Sequence, residues 1–130
     1  MRAKDRGLLA MKSRYKTFKG KLLKVFLKNI LLPNGYLATF EIVKHRGAVL
    51  IVPLLANNKV ILLRQLRPVI GRYIYELPAG TLEKQESPLA CAKREIIEET
   101  GYRAKKITKL GEIFPVPGCS TEKIIMSSQS

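Results

Sequence analysis

The side chains from Tyr36 to Lys44 alternate: Tyr36, Ala38, Phe40 and Ile42 fall on one face, and Leu37, Thr39, Glu41 and Val43 on the other. That is the period of a half-buried strand. Residues 20–31, GKLLKVFLKNIL, mix Val, Phe and Leu with lysines and predict a strand before it. Between them, Pro33-Asn34-Gly35 is a turn signal, with Asn-Gly supplying the positive φ angles of a tight hairpin. Arg46-Gly47 turns the chain again, and the single histidine, His45, reads as a residue of that turn. Ala48–Leu55 is an unbroken apolar run, as in a buried strand. Asn57-Asn58 predicts a second tight turn, and Lys59–Leu66 is the expected partner of Ala48–Leu55. Arg67-Pro68 breaks that strand, Arg72–Glu76 is a short one, and Leu77-Pro78-Ala79-Gly80 is a loop. Further on, Lys106–Phe114 reads as a strand, Pro115-Val116-Pro117-Gly118 as a stiff loop, and a last strand begins within Thr121–Met126.

Only the stretch between these groups of strands has helical signals. Ser87 is a good N-cap, because its hydroxyl can accept a free backbone N–H. Pro88 suits the first helical position, where a missing N–H costs nothing. Gly101 can adopt the left-handed conformation that ends a helix. Leu89, Ala92 and Ile96 then share one apolar side. Many strands, one helix and more strands indicate the α+β class.

Composition places this chain of 130 residues, 46% of them apolar, as one domain able to form a core. The formal charge of +14 would ordinarily suggest nucleic acid or a membrane surface as partner. Its distribution argues against both. Ten bases and only Asp5 lie before Asn29, which reads as a basic leader over residues 1–14 followed by a lysine-rich surface strand. Met11 offers an alternative start. Cys91 and Cys119 form no paired framework, so reduced thiols in a cytoplasmic protein are expected. No apolar run reaches transmembrane length.

The acids are concentrated elsewhere. From Glu76 to Gly101 six acids face three bases, a local excess of negative charge in a basic chain. On the predicted helix Glu95 and Glu99 are one turn apart, with Glu98 beside them. Like charges at that spacing repel by roughly 0.2–0.5 kcal/mol per pair. A hard divalent cation, which prefers carboxylate and phosphate oxygens, would reverse the sign. Taken alone, REIIEE is more often a solvated face.

The wider spacing changes that balance. Gly80, Glu86, Arg94-Glu95, Ile96, Glu98-Glu99, Gly101 and Tyr102 match at every position the Nudix box, G-x5-E-x7-R-E-U-x-E-E-x-G-U with U apolar. The flanks RQLRPVIGRYIYELPAGTLE and FPVPGCSTEK, with Pro117 sixteen residues beyond Gly101, resemble those of the ADP-ribose pyrophosphatases. The resemblance runs from about Tyr15 to Ile125. It implies an α/β/α sandwich with a mixed sheet over residues 47–130, preceded at 15–46 by an N-terminal antiparallel β region that serves dimerisation and substrate binding. It also implies Mg²⁺- or Mn²⁺-dependent cleavage of ADP-ribose, or a related nucleoside diphosphate sugar, to AMP and ribose 5-phosphate.

By the same resemblance Glu95, Glu99, Glu98 and the carbonyl of Ala79 are the metal ligands. Glu98, Glu99, Arg94 and Glu86 form the catalytic group, with Arg94 pairing with a neighbouring glutamate. Arg67, Gln65, Phe40 and Glu41 are substrate-side candidates. For Phe40 the residue pattern itself favours plain core, and for Arg67 an exposed turn arginine is an equal reading. Implied partners are a small nucleotide sugar and a second copy of the chain; a membrane is not expected, and nucleic acid is the less favoured reading.

The final residues depart from the family. Relatives complete an apolar strand, a loop with a further acid and a helix, whereas here Met126 is followed by Ser127-Ser128-Gln129-Ser130. The expectation is a domain missing its C-terminal part, with the last strand short of neighbours and one sheet face bare. A non-catalytic nucleotide binder or inert fragment therefore stands as the alternative function, and a basic nucleic-acid module as a third.

Overall fold

The computed structural model describes residues 10–130, with side chains from residue 17. It divides into two units, one comprising residues up to His45 with Val116–Glu122, the other Arg46–Pro115 with Lys123–Ser130.

The first unit is an antiparallel sheet of three strands in chain order: β1 (Ala10–Lys19), β2 (Lys24–Leu31) and β3 (Leu37–Lys44). The first strand takes in residues 10–14, which the sequence reading assigns to the leader. Strands β2 and β3 pair without a break from Lys24↔Lys44 to Leu31↔Leu37. Their connection differs from the predicted tight turn. Gly35 alone has a positive φ, of 86°, and its N–H donates to the Leu32 carbonyl at 3.0 Å. That bond centres the turn on Pro33-Asn34, where the proline ring presets the φ near −65° that the first central position takes. The PGCST loop runs along β3: Val43 donates to the Cys119 carbonyl at 2.7 Å, and Thr121 donates back to the Val43 carbonyl at 3.0 Å.

The second unit holds β4 (Ala48–Pro53), β5 (Leu63–Arg67), β6 (Arg72–Glu76), β7 (Ala79–Thr81), α1 (Pro88–Thr100), β8 (Ile107–Ile113) and β9 (Ile124–Gln129). Four strands make a mixed sheet in the order β7-β4-β9-β8, and β5 pairs with β6 in a separate hairpin. Helix α1 begins as its sequence dictates. The Ser87 hydroxyl accepts from the Ala90 N–H at 3.1 Å, Pro88 follows, and Gly101 ends the helix at φ 75°. Val49, Ile51 and Ile125 from the sheet meet Cys91, Ala92 and Ile96 from α1 in the core. This is the expected α+β class, with α1 packed on β4 and β7.

Four expectations are corrected here. The apolar run Ala48–Leu55 does not pair with the segment after Asn58. Its edges go to β7 and to β9, so that segment meets it only at the Leu54↔Val60 bridge before leaving to form β5. The expected loop at Ala79-Gly80 is a short strand, because β4 has an edge to pair and Val49 lies opposite Gly80. Leu89 does not join the buried stripe of α1. It is about half exposed, and Cys91, Ala92, Glu95 and Ile96 are buried instead. Finally, the last strand is not short of neighbours. Strand β9 lies between β4, parallel to it from Ala48↔Ile124 to Pro53↔Gln129, and β8, antiparallel. Both its edges are paired, and Ser127 and Gln129 are buried within it. No helix among the described residues is long and apolar enough to cross a membrane.

Candidate active site

The acids of α1 gather around one arginine. Arg94 meets Glu86 with two nitrogens, Nε to Oε2 and Nη2 to Oε1, each at 2.9 Å. That is the fork-on-fork geometry for which a guanidinium is suited. Its Nη1 donates to Glu95 Oε1 at 2.7 Å and to Glu98 Oε2 at 3.2 Å. Glu98 lies one turn along the helix, so the last contact follows from the period of α1. The Glu83 N–H donates to Glu86 Oε1 at 3.1 Å and fixes the loop before the helix. The Arg94 pairing holds the Glu86 carboxyl far below its ordinary 4.5, at about 2.

Glu95 is buried, which a carboxylate tolerates only when paired. Arg94 is its partner, and Gly80 makes the room. A Cβ on Gly80 would collide with Cγ, Cδ and Oε1 of Glu95. The sequence pattern includes this glycine but not the reason for it.

Glu99 points instead to the strand that leads into the box. Its Oε2 accepts from the Ala79 N–H at 3.1 Å. Burial pushes its carboxyl up, Ala79 pulls it down, and the charge of Glu95 raises it again. Arg67 is near enough to oppose that rise, while itself bonded through Nε to Glu76 Oε2 at 2.8 Å. Arg67 is thus an exposed residue at the end of β5, paired with Glu76.

Two contacts lie outside the sequence expectations. Arg94 Nη2 also approaches the Thr81 carbonyl and Cys91 Sγ, both at 3.5 Å. Cys91 is fully buried, and burial with Glu86 nearby pushes its thiol up to about 12, so it stays protonated. Nothing in its one-letter neighbourhood signals this, since the contact depends on β7 folding back beside α1.

The structure thus brings together Glu86, Arg94, Glu95 and Glu98, with Glu99 at the backbone of Ala79. Gln65, opposite Ile74 on the β5–β6 hairpin, is partly buried. Phe40 and Glu41 belong to the first unit. Phe40 is 36% exposed and so is not core. It lines a cavity of about 320 Å³ with Ile30, Ile42 and residues 117–121. Glu41 is exposed on the opposite face of β3.

Among the described residues no three potential ligands stand ready-made around one point, because Arg94 engages Glu86, Glu95 and Glu98. The donor chemistry nevertheless fits a hard divalent ion. Glu95, Glu98, Glu99 and the Ala79 carbonyl offer oxygen alone, and the upward pull of Glu95 on the partly buried Glu99 carboxyl is the repulsion a cation relieves.

A family profile described as the NUDIX domain matches residues 44–127. The chain belongs to the Nudix family. Over 105 residues it is 44% identical to the ADP-ribose pyrophosphatase of Bacillus subtilis (strain 168), an alignment covering 81% of this chain and 57% of that protein. It is 38% identical to the methanol dehydrogenase activator of Bacillus methanolicus over 82% of this chain and 58% of that protein. Against the ADP-sugar pyrophosphatase of Mus musculus identity is 40%, over 78% of this chain and 51% of the other. The chain thus spans little more than half the length of these relatives. A crystal structure of an ADP compounds hydrolase superposes with a TM-score of 0.79 over 94% of this chain and 66% of that one, at 23% identity, which establishes the Nudix fold.

Proposed function

We propose that this Nudix chain hydrolyses the pyrophosphate bond of a nucleoside diphosphate sugar, ADP-ribose foremost, releasing AMP and ribose 5-phosphate with Mg²⁺ or Mn²⁺. The observation that carries the reading is the Arg94-centred cluster of Glu86, Glu95 and Glu98 beside Glu99 and Ala79. It occurs in a chain similar to an ADP-ribose pyrophosphatase and an ADP-sugar pyrophosphatase.

In this reading Glu95, Glu98, Glu99 and the Ala79 carbonyl hold the ion. Bound there, it would offset phosphate charge and lower the pKa of a water. Arg94 is a positioning residue that keeps Glu95 and Glu98 oriented toward one another. Glu86, held at about 2 by Arg94, is a poor proton acceptor at neutral pH and serves as the anchor of that arginine. Glu98, exposed and tied to Arg94 by one bond at 3.2 Å, is the better candidate to receive the proton of the attacking water. Arg67 supplies a guanidinium for phosphate or ribose oxygens, with Gln65 on the same hairpin. Phe40 and Glu41 contribute to the nucleoside end, supported by the open cavity beside Phe40.

The reading carries with it a homodimer built through the β1–β3 sheet. It also carries a cytoplasmic location, supported by the free thiols Cys91 and Cys119. The test is a substrate panel with Mg²⁺ and with Mn²⁺, following AMP release from ADP-ribose beside diadenosine polyphosphates and nucleoside triphosphates. A higher kcat/KM for a triphosphate overturns the substrate assignment, and the absence of any turnover favours a non-catalytic nucleotide binder.

A further inference from the structure

Arg67 and Glu76 stand at opposite ends of the β5–β6 ladder, Arg67 opposite Arg72 and Glu76 opposite Leu63. Strand alternation puts both on the face that also carries Gln65 and Ile74. Arg67 Nε nevertheless donates to Glu76 Oε2 at 2.8 Å, a bond made only with the arginine laid back along the hairpin. Arg64, on the other face, stacks on Tyr73 instead, its guanidinium carbon 4.1 Å from the ring centre. Glu76 ends β6, and Leu77-Pro78 lead from it to Ala79, whose N–H donates to Glu99. Burial is the main cause of the raised Glu99 carboxyl, Arg67 opposes the rise and Glu76 adds to it. Both members of the pair are therefore within electrostatic reach of Glu99.

The bond leaves the far end of the guanidinium open. Among the described residues Nε is the only side-chain nitrogen of Arg67 with a hydrogen bond, whereas Arg94 gives all three of its nitrogens to carboxylates. The two Nη groups of Arg67 form the fork that suits phosphate oxygens. The Arg67 side chain is 47% exposed and Glu76 23%, so the acid is the more enclosed member and the arginine the reachable one.

We propose that Glu76 is a positioning residue that holds Arg67 by Nε, so that its Nη pair meets the diphosphate oxygens of the substrate beside Glu99. This rests on the reading of the carboxylate cluster as a site for a nucleoside diphosphate sugar, and assigns Arg67 to the diphosphate rather than the ribose. The gain is pre-organisation: ordering a free arginine on binding costs about two- to tenfold in affinity. Glu76 acting only as a negative charge near the phosphates would have the opposite sign, and its loss would tighten binding.

Calorimetric titration of the full chain with the α,β-methylene analogue of ADP-ribose in Mg²⁺ tests it, since the analogue has no P–O–P bridge to cleave. Arg67→Ala should weaken binding by about tenfold or more, as for lost charged hydrogen bonds. Glu76→Ala should weaken it by about two- to tenfold, and Glu76→Gln, which keeps an acceptor for Nε, by less. The double variant Arg67→Ala/Glu76→Ala should match Arg67→Ala within about twofold, because Glu76 acts through the arginine. ADP, which keeps the diphosphate and lacks the second ribose, should show the same losses. A thermal scan checks the fold of each variant, and Glu76→Gln carries the comparison if Glu76→Ala does not fold. The proposal is overturned by unchanged or tighter binding on loss of Glu76, by additive losses in the double variant, by losses seen with the analogue but not with ADP, or by no binding at millimolar analogue. The expected binding pattern without turnover of ADP-ribose overturns hydrolysis and leaves Glu76 in its role. Turnover of ADP-ribose with binding indifferent to Glu76 does the reverse.

Discussion

The carboxylate of Glu95 occupies the space into which a side chain on Gly80 would project. Strand β7 and helix α1 can approach only because that position has no Cβ. The approach also lets Arg94 reach both Glu95 and the Thr81 carbonyl. Gly80→Ala should therefore destabilise the chain by about 1–3 kcal/mol, the usual cost of overpacking, and should displace Glu95 from Arg94. Thermal unfolding measures the first effect. A variant that melts with wild type would show that the strand and helix shift apart at little cost.

Acid stability should depend on Glu86. Its folded-state value of about 2 lies below the ordinary 4.5, so the ionised carboxylate favours the folded chain above pH 4.5. That contribution is lost as pH falls from 4.5 toward 2. Across this window the wild-type Tm should fall more steeply than that of Glu86→Gln, which lacks the titrating group. Parallel Tm curves for the two chains would discount the Arg94 pairing as the cause.

Metal affinity should depend on Glu99. Its carboxyl is raised by burial first and by Glu95 as well, and a divalent ion would relieve that repulsion. Glu99→Gln should weaken Mn²⁺ binding by about tenfold or more, since even residues that only orient metal ligands are worth 10–100-fold. Calorimetry giving equal Mn²⁺ affinity in both chains would remove Glu99 from the ligand set.

The three-stranded sheet of the first unit carries Phe18, Tyr36 and Leu37 more than half exposed. Such side chains on a small sheet favour a partner, and a homodimer is the expected state. Light scattering at tens of micromolar protein should give twice the chain mass, and a monomer mass would count against assembly through this sheet.

The helix was legible almost to the residue, because its signals are local. Ser87, Pro88 and Gly101 act on their own turns, and the spacing of Glu95, Glu98 and Glu99 is fixed by the helical period. Apolar runs likewise gave the existence of β3, β4, β6 and β8. Pairing was not legible. Which strand takes each edge of β4 depends on β7, antiparallel to it, and β9, parallel to it, and no short window of sequence contains both. The site followed the same division. The carboxylates on α1 could be named from spacing, but Arg94 touching Thr81 and Cys91, and Glu99 accepting from Ala79, required the strand before the box to lie against the helix.

The position of β9 has a kinetic consequence. The strand that joins β4 to β8 follows both of them in the sequence. Until it is in place, β4 is paired on one edge only and β8 has no neighbour in the sheet. Its parallel partner begins at Ala48, so closing the sheet draws together distant parts of the chain, a slow step that incurs loop entropy before contacts compensate it. During synthesis the helix and the β5–β6 hairpin can form as they emerge, while the unit that carries the carboxylates waits for β9 to become a cooperative structure.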